Sequence, residues 1–191
     1  MTYVLLLIMK VNFVKEPFFH LVVEESFSDS DSFFDEFDML RERLQTAEQT
    51  GSDRHASGNS KKRGRGLFLG EEYQSLKMVS NLRELILNIG HSKEWKNDAF
   101  YRMYQETGWT SFLLNHYNRG DYYKPHWDDG LFTLITFFFD DYKNRLGGDL
   151  YFPEYNYLHK CKNNQSILFF SKELHQVTTF ESDSNRCSIS A

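Results

Sequence analysis

The chain has little proline, little cysteine and no long apolar run. Three prolines and 11 glycines in 191 residues exclude collagen-like and low-complexity repeats. Two cysteines, Cys161 and Cys187, cannot make a disulfide framework, so nothing in the composition demands an oxidising compartment. The longest early apolar run, Val4 to Met9, falls far short of the ~20 residues of a spanning helix. No basic residue precedes it and no small-residue cleavage site follows, so it reads as a short opening strand in a cytoplasmic protein without a membrane partner. A start at Met9 is the alternative. Excess positive charge is also missing: the net charge of −5 argues against a protein that coats nucleic acid, while leaving a nucleic-acid substrate open. What is abundant is aromatic: 18 Phe, 11 Tyr and 3 Trp, 17% of the chain, which favours half-buried pleated surfaces. The length suits a single domain, 1–191.

Phe18 to Glu25 is β-branched and aromatic and reads as a strand. An acidic stretch follows, in which Phe33, Phe37, Leu40, Leu44 and Ala47 recur at helical spacing. The spacing predicts an amphipathic helix that starts near Asp29 to Ser32 and turns its acids to solvent. Thr50 to Gly66 is small, polar and glycine-containing, with Arg54, Lys61, Lys62, Arg63 and Arg65 against Asp53. It reads as a mobile basic loop, either a solvated linker or a lid or arm over a substrate. Tyr73, Leu76, Val79, Leu82, Leu85 and Ile89 predict a second helix over 71–89, capped by Gly90, and 93–106 holds a possible third.

From Trp109 onward the character changes. Eight short apolar or aromatic runs follow, over 110–118, 122–128, 131–139, 149–152, 155–161, 165–170, 173–180 and 186–190, with turn residues between several of them. The expected fold is mainly β with flanking helices (α+β): a double-stranded β-helix, or jelly roll, with a core of eight short strands. Residues 109–191 supply that core, and 1–108 supply a strand, supporting helices and the loop over 50–66. Phe137 to Phe139 lacks alternation, which predicts a middle strand buried on both faces.

His126-Trp127-Asp128 puts an imidazole and a carboxylate on one face of an extended segment. A second imidazole is available at His175, on a later strand. Two histidines and one carboxylate on one face of an octahedron are the facial triad of non-heme Fe(II) oxygenases. Arg186, at the start of the last strand, can grip a carboxylate bidentately inside the barrel, with the Tyr117 hydroxyl adding a hydrogen bond. Tyr123, Asp129 and Thr136 are further candidates for substrate or pocket contact. His20, His55, His91, His116 and His159 read as ordinary histidines, the two cysteines as small buried hydrophobes, and Gly147 and Gly148 as turn geometry.

In order and spacing, these pieces resemble the Fe(II)/2-oxoglutarate-dependent dioxygenases, in particular the prolyl 4-hydroxylase-like branch. The resemblance runs over Tyr117 to Asp128, the Thr136 strand, Gly147 to Pro153, Ile167 to Phe170 with His175, and Arg186 to Ser190. It implies that His126, Asp128 and His175 bind Fe(II), and that Arg186 and Tyr117 hold the distal carboxylate of 2-oxoglutarate. Dioxygen is the oxidant, ascorbate is compatible with the chemistry, and no catalytic residue is implied beyond the metal ligands. The implied activity is hydroxylation with release of succinate and carbon dioxide. An aspartate at position 128 fits a hydroxylase, since related halogenases carry a small residue there. Thr133 to Phe139 lacks a tyrosine that family members often place near the co-substrate. The leading substrate is a prolyl residue in a peptide or protein, against a free amino acid, another small molecule or a nucleobase. A cupin-like module that binds metal without catalysis is the rival from another class. The sequence leaves the oligomeric state open.

Overall fold

Each of the eight C-terminal runs contains a strand. The computed structural model describes residues 10–51, 60–108 and 110–191; the run Val4 to Met9, the loop residues Asp53, Arg54 and His55, and Trp109 lie outside them. The strands are β1 (Lys10–Val14), β2 (His20–Glu24), β3 (Gln45–Thr46), β4 (Lys62–Arg63), β5 (Arg65–Phe68), β6 (Leu113–Tyr117), β7 (Tyr122–His126), β8 (Phe132–Phe139), β9 (Leu150–Phe152), β10 (Tyr157–His159), β11 (Gln165–Phe170), β12 (His175–Val177) and β13 (Arg186–Ser190). They form two antiparallel sheets, ordered β1-β2-β11-β8-β13-β6-β5-β3 and β10-β9-β12-β7-β4. Four of the eight C-terminal strands lie in each sheet, the jelly-roll arrangement. The N-terminal half extends the large sheet at both edges and the small one at β4, giving eight and five strands.

The sheets stack through Tyr117, Phe137, Phe139, Ile167 and Phe169 of the large sheet and Leu150, Phe152 and Val177 of the small one. Strand alternation sends the intervening residues to the opposite face of the large sheet, where Leu21, Val23, Leu114, Leu134, Phe138, Leu168 and Ile189 meet the helices. Phe138 stacks on Phe33 at 3.7 Å, so β8 is buried on both faces, as its lack of alternation predicts.

The helices are α1 (Ser32–Leu40), α2 (Lys77–His91) and α3 (Ala99–Gln105). Two differ from the reading of their periodicity. The first ends at Leu40, and after a short 3-10 turn the chain is extended, because Gln45 and Thr46 pair with Gly66 and Arg65 of β5. Leu44 and Ala47 are still buried, so the spacing marked inward positions correctly while tertiary pairing set their conformation. In α2, Gly90 lies within the helix and Ser92 caps it. A Cβ on Gly90 would come within 3.3 Å of Gln105 and 3.4 Å of Tyr104, so the glycine admits α3. The acidic stretch is also more than a solvated face: the Glu36 carboxylate accepts from the backbone N–H groups of Lys77 and Met78 (2.6 and 2.8 Å), capping the start of α2.

The largest difference is in the basic segment. Its second half is sheet, with Lys62 and Arg63 pairing with Tyr123 and Tyr122 of β7 and Arg65 to Phe68 pairing with β6. An ion pair from Arg63 to Asp121 (3.2 Å) ties it to the turn before β7. Among the described residues no helix is long and apolar enough to cross a membrane.

Candidate active site

His126 ends β7 and His175 begins β12, and the two are register partners across the small sheet. Each ring is fixed from behind. Nδ1 of His126 lies 2.8 Å from the Lys124 carbonyl oxygen and Nδ1 of His175 lies 2.9 Å from that of Glu173. A carbonyl only accepts, so each Nδ1 carries the hydrogen and each Nε2 presents a lone pair. Burial, then the neighbouring His175, pushes the His126 pKa down to about 3, which keeps that ring neutral and able to ligate.

Asp128 lies just beyond the end of β7. Its backbone N–H donates to the Ser171 carbonyl (2.9 Å), and the Thr133 hydroxyl donates to Oδ2 (2.7 Å) while contacting the Ser171 hydroxyl at 2.9 Å. The carboxylate is thereby aimed at the imidazoles: Oδ1 is 3.7 Å from Nε2 of His126 and Oδ2 is 3.5 Å from Nε2 of His175. The three donor atoms lie within 4.8 Å of one another and can hold one metal ion. Two imidazoles and one carboxylate, each oriented by an outer hydrogen bond, are a donor set suited to Fe(II) with open positions.

Arg186 lies inside the sandwich, 1% exposed. It is paired between Tyr117 of β6 and Phe139 of β8, and its guanidinium sits 4.5 Å from the Tyr117 ring centroid and 5.7 Å from that of Phe137. Nε donates to the Gly148 carbonyl at 2.7 Å, whereas Nη1 has no hydrogen-bond partner among the described residues. A buried cation with an unsatisfied donor is costly, and a carboxylate is the group that satisfies it best. The Gly147-Gly148 turn makes the room. Both residues have positive φ, and a Cβ on Gly148 would stand 2.7 Å from Cδ of Arg186.

Of the remaining sequence candidates, the structure brings two to the site. Tyr117 is buried against Arg186, and burial raises its hydroxyl pKa. Tyr123 stacks on the His126 ring at 3.5 Å. Asp129 is exposed in the bend after Asp128. Thr136 is not brought in: strand alternation puts it on the helix-facing side of β8, where its hydroxyl meets that of Ser166 at 2.6 Å.

Three groups escaped the sequence reading. Thr133 orients Asp128, and nothing in its spacing marks it. Asn115 faces inward two residues before Tyr117. Lys62, read as part of a loop, is 2% exposed, with Nζ 2.6 Å from Oδ1 of Asn115 and 5.9 and 5.4 Å from the Tyr117 and Tyr123 ring centroids. Only the pairing of β4 with β7 reveals it.

No family model and no curated protein matches the chain by sequence. Solved structures do match by shape. A prolyl-4-hydroxylase from Pseudomonas putida aligns with TM-score 0.63 at 15% identity, over 90% of this chain and 89% of that one. A prolyl hydroxylase from Trichoplax adhaerens, solved with a hypoxia inducible factor peptide fragment, aligns with TM-score 0.62 at 15% identity, over 89% and 81%. A viral collagen prolyl hydroxylase from Paramecium Bursaria Chlorella virus-1, solved with 2-oxoglutarate, aligns with TM-score 0.52 at 17% identity, over 90% and 93%. By fold, the chain is similar to prolyl hydroxylases across nine-tenths of its length.

Proposed function

We propose that the protein is an Fe(II)- and 2-oxoglutarate-dependent dioxygenase that hydroxylates a prolyl residue in a peptide or protein. One observation carries the reading: the imidazole–carboxylate set shares the interior between the sheets with a buried guanidinium whose Nη1 has no partner among the described residues. His175 packs on Phe169 and Phe152, and Arg186 on Phe137, all of one interior cluster. A metal-binding module without catalysis has no use for the second element.

In this reading His126, Asp128 and His175 hold the iron, and Arg186 with Tyr117 holds the distal carboxylate of 2-oxoglutarate. Bound together, iron, 2-oxoglutarate and dioxygen supply hydroxylation with release of succinate and carbon dioxide. The chain's own part is positioning. The Lys124 and Glu173 carbonyls fix the two rings, Thr133 fixes the carboxylate, and Phe137, Phe152 and Phe169 keep water from the interior. The prolyl substrate is supported by the shared fold and by the sequence resemblance from Tyr117 to Ser190.

The test is incubation with Fe(II), 2-oxoglutarate and a panel of proline-containing peptides and free amino acids, followed by mass spectrometry. A peptide that gains the mass of one oxygen atom, with succinate formed alongside, is expected, and His175→Ala should give neither. Oxygen gain on a free amino acid alone would replace the prolyl substrate. Iron binding without succinate under any condition would favour the non-catalytic module.

A further inference from the structure

We infer that Lys62 is a second cation of the co-substrate pocket, sharing with Arg186 the distal carboxylate of a dicarboxylic 2-oxo acid. The inference rests on the function proposed above and adds a residue from the far N-terminal half of the chain. Lys62 and Arg186 lie over the same aromatic ring, that of Tyr117, at 5.9 and 4.5 Å from its centroid. Both are almost wholly buried. Two neighbouring interior cations repel each other, and Asp128, the carboxylate that acts on Lys62, is committed to the imidazoles. Asn115 supplies only a neutral acceptor, for one of three ammonium hydrogens. One carboxylate placed between the ammonium and the free Nη1 of Arg186 would complete both groups.

Depth favours the co-substrate as the source of that carboxylate. A lysine 2% exposed, its ammonium over the rings of Tyr117 and Tyr123, suits a small acid that enters the sandwich better than a residue of a peptide laid across its mouth. The burial that lowers the Lys62 pKa to about 8 has the same cause as its need for an anion: the charge is far from water and close to Arg186. Lys62 also bridges the two ends of the pocket, because Tyr123, on which it lies, is stacked on the ligand His126.

The experiment is calorimetric binding to the full chain loaded with Mn(II) under argon. It uses two ligands, 2-oxoglutarate and 2-oxopentanoate, which has the same 2-oxo acid head and no distal carboxylate. Lys62→Gln keeps an amide donor for Asn115, and Lys62→Met removes it. Both should weaken 2-oxoglutarate by about tenfold to a hundredfold and leave 2-oxopentanoate nearly unchanged. Lys62→Arg should recover part of the loss. Equal weakening of both ligands would show a merely structural residue and overturn the inference. Unchanged 2-oxoglutarate binding in Lys62→Gln, with Arg186→Met still defective, would overturn it while sparing the proposed function. A wild-type protein that binds Mn(II) but no 2-oxoglutarate would overturn both.

Discussion

The two ends of the candidate site are built on opposite principles. At the metal end the atoms behind the donors are already answered: each Nδ1 by a backbone carbonyl, one carboxylate oxygen by Thr133. Its donors are held ready before any ligand arrives. At the other end Nη1 of Arg186 has no hydrogen-bond partner among the described residues and Lys62 lies over the same Tyr117 ring; in the proposed reading an anion completes that end. The difference teaches where selectivity resides. At the first end each imidazole is fixed by a carbonyl two residues away in sequence and Asp128 by Thr133 and Ser171, whereas the second end is held through long-range packing of β4, β6, β13 and the Gly147-Gly148 turn.

The comparison can be broken at either end. The largest effect is expected from His175→Ala, which removes one of the three donors that can hold a metal ion. Metal affinity should fall by at least ~100-fold, read as Mn(II) retained after gel filtration. Next is Gly148→Ala, which acts only on the carboxylate end. The added Cβ meets Arg186 at 2.7 Å and Phe180 at 2.9 Å on a backbone of φ +70°. A loss of ~1–3 kcal/mol in chemical denaturation is expected, with weakened 2-oxoglutarate binding and Mn(II) binding intact. Thr133→Val is the milder counterpart at the metal end. It frees Asp128 and should weaken Mn(II) by ~10-fold while the fold persists.

A smaller effect sharpens the contrast between this site and the surrounding core. Burial holds His20 and His116 below their ordinary range and pushes His159 down to about 4. The native protein therefore protonates these rings at lower pH than the unfolded chain, which takes up protons below pH ~6.5. Stability is therefore full above that pH and falls as pH drops toward 4, by up to ~1.4 kcal/mol per pH unit for His159. Denaturation at pH 7 and pH 5 measures this slope, which should be shallower in His159→Gln.

How legible each part was in the sequence follows the same division. His126, Asp128 and His175 could be read because their chemistry depends on local spacing and on two neighbouring strands. The eight C-terminal strands were legible from runs of Phe, Tyr, Leu and Ile broken by turn residues. Arg186 was legible from its place at the start of β13. Lys62 was hidden because a two-residue strand within a small, polar, glycine-containing stretch has the composition of a loop, and it pairs with Tyr123, far along the chain. Thr136 misled for the opposite reason: its strand was right, but the face it occupies depends on the register of β8 against β11. The end of α1 was decided by Gln45 and Thr46 joining a sheet, a partner that helical periodicity does not encode.

The most direct measurement is succinate formation from 2-oxoglutarate by the Fe(II)-loaded protein in air, wild type against His175→Ala. The account predicts oxygen-dependent succinate from the wild type and none from the variant. Equal release by both, or none from an iron-bound wild type, would contradict it.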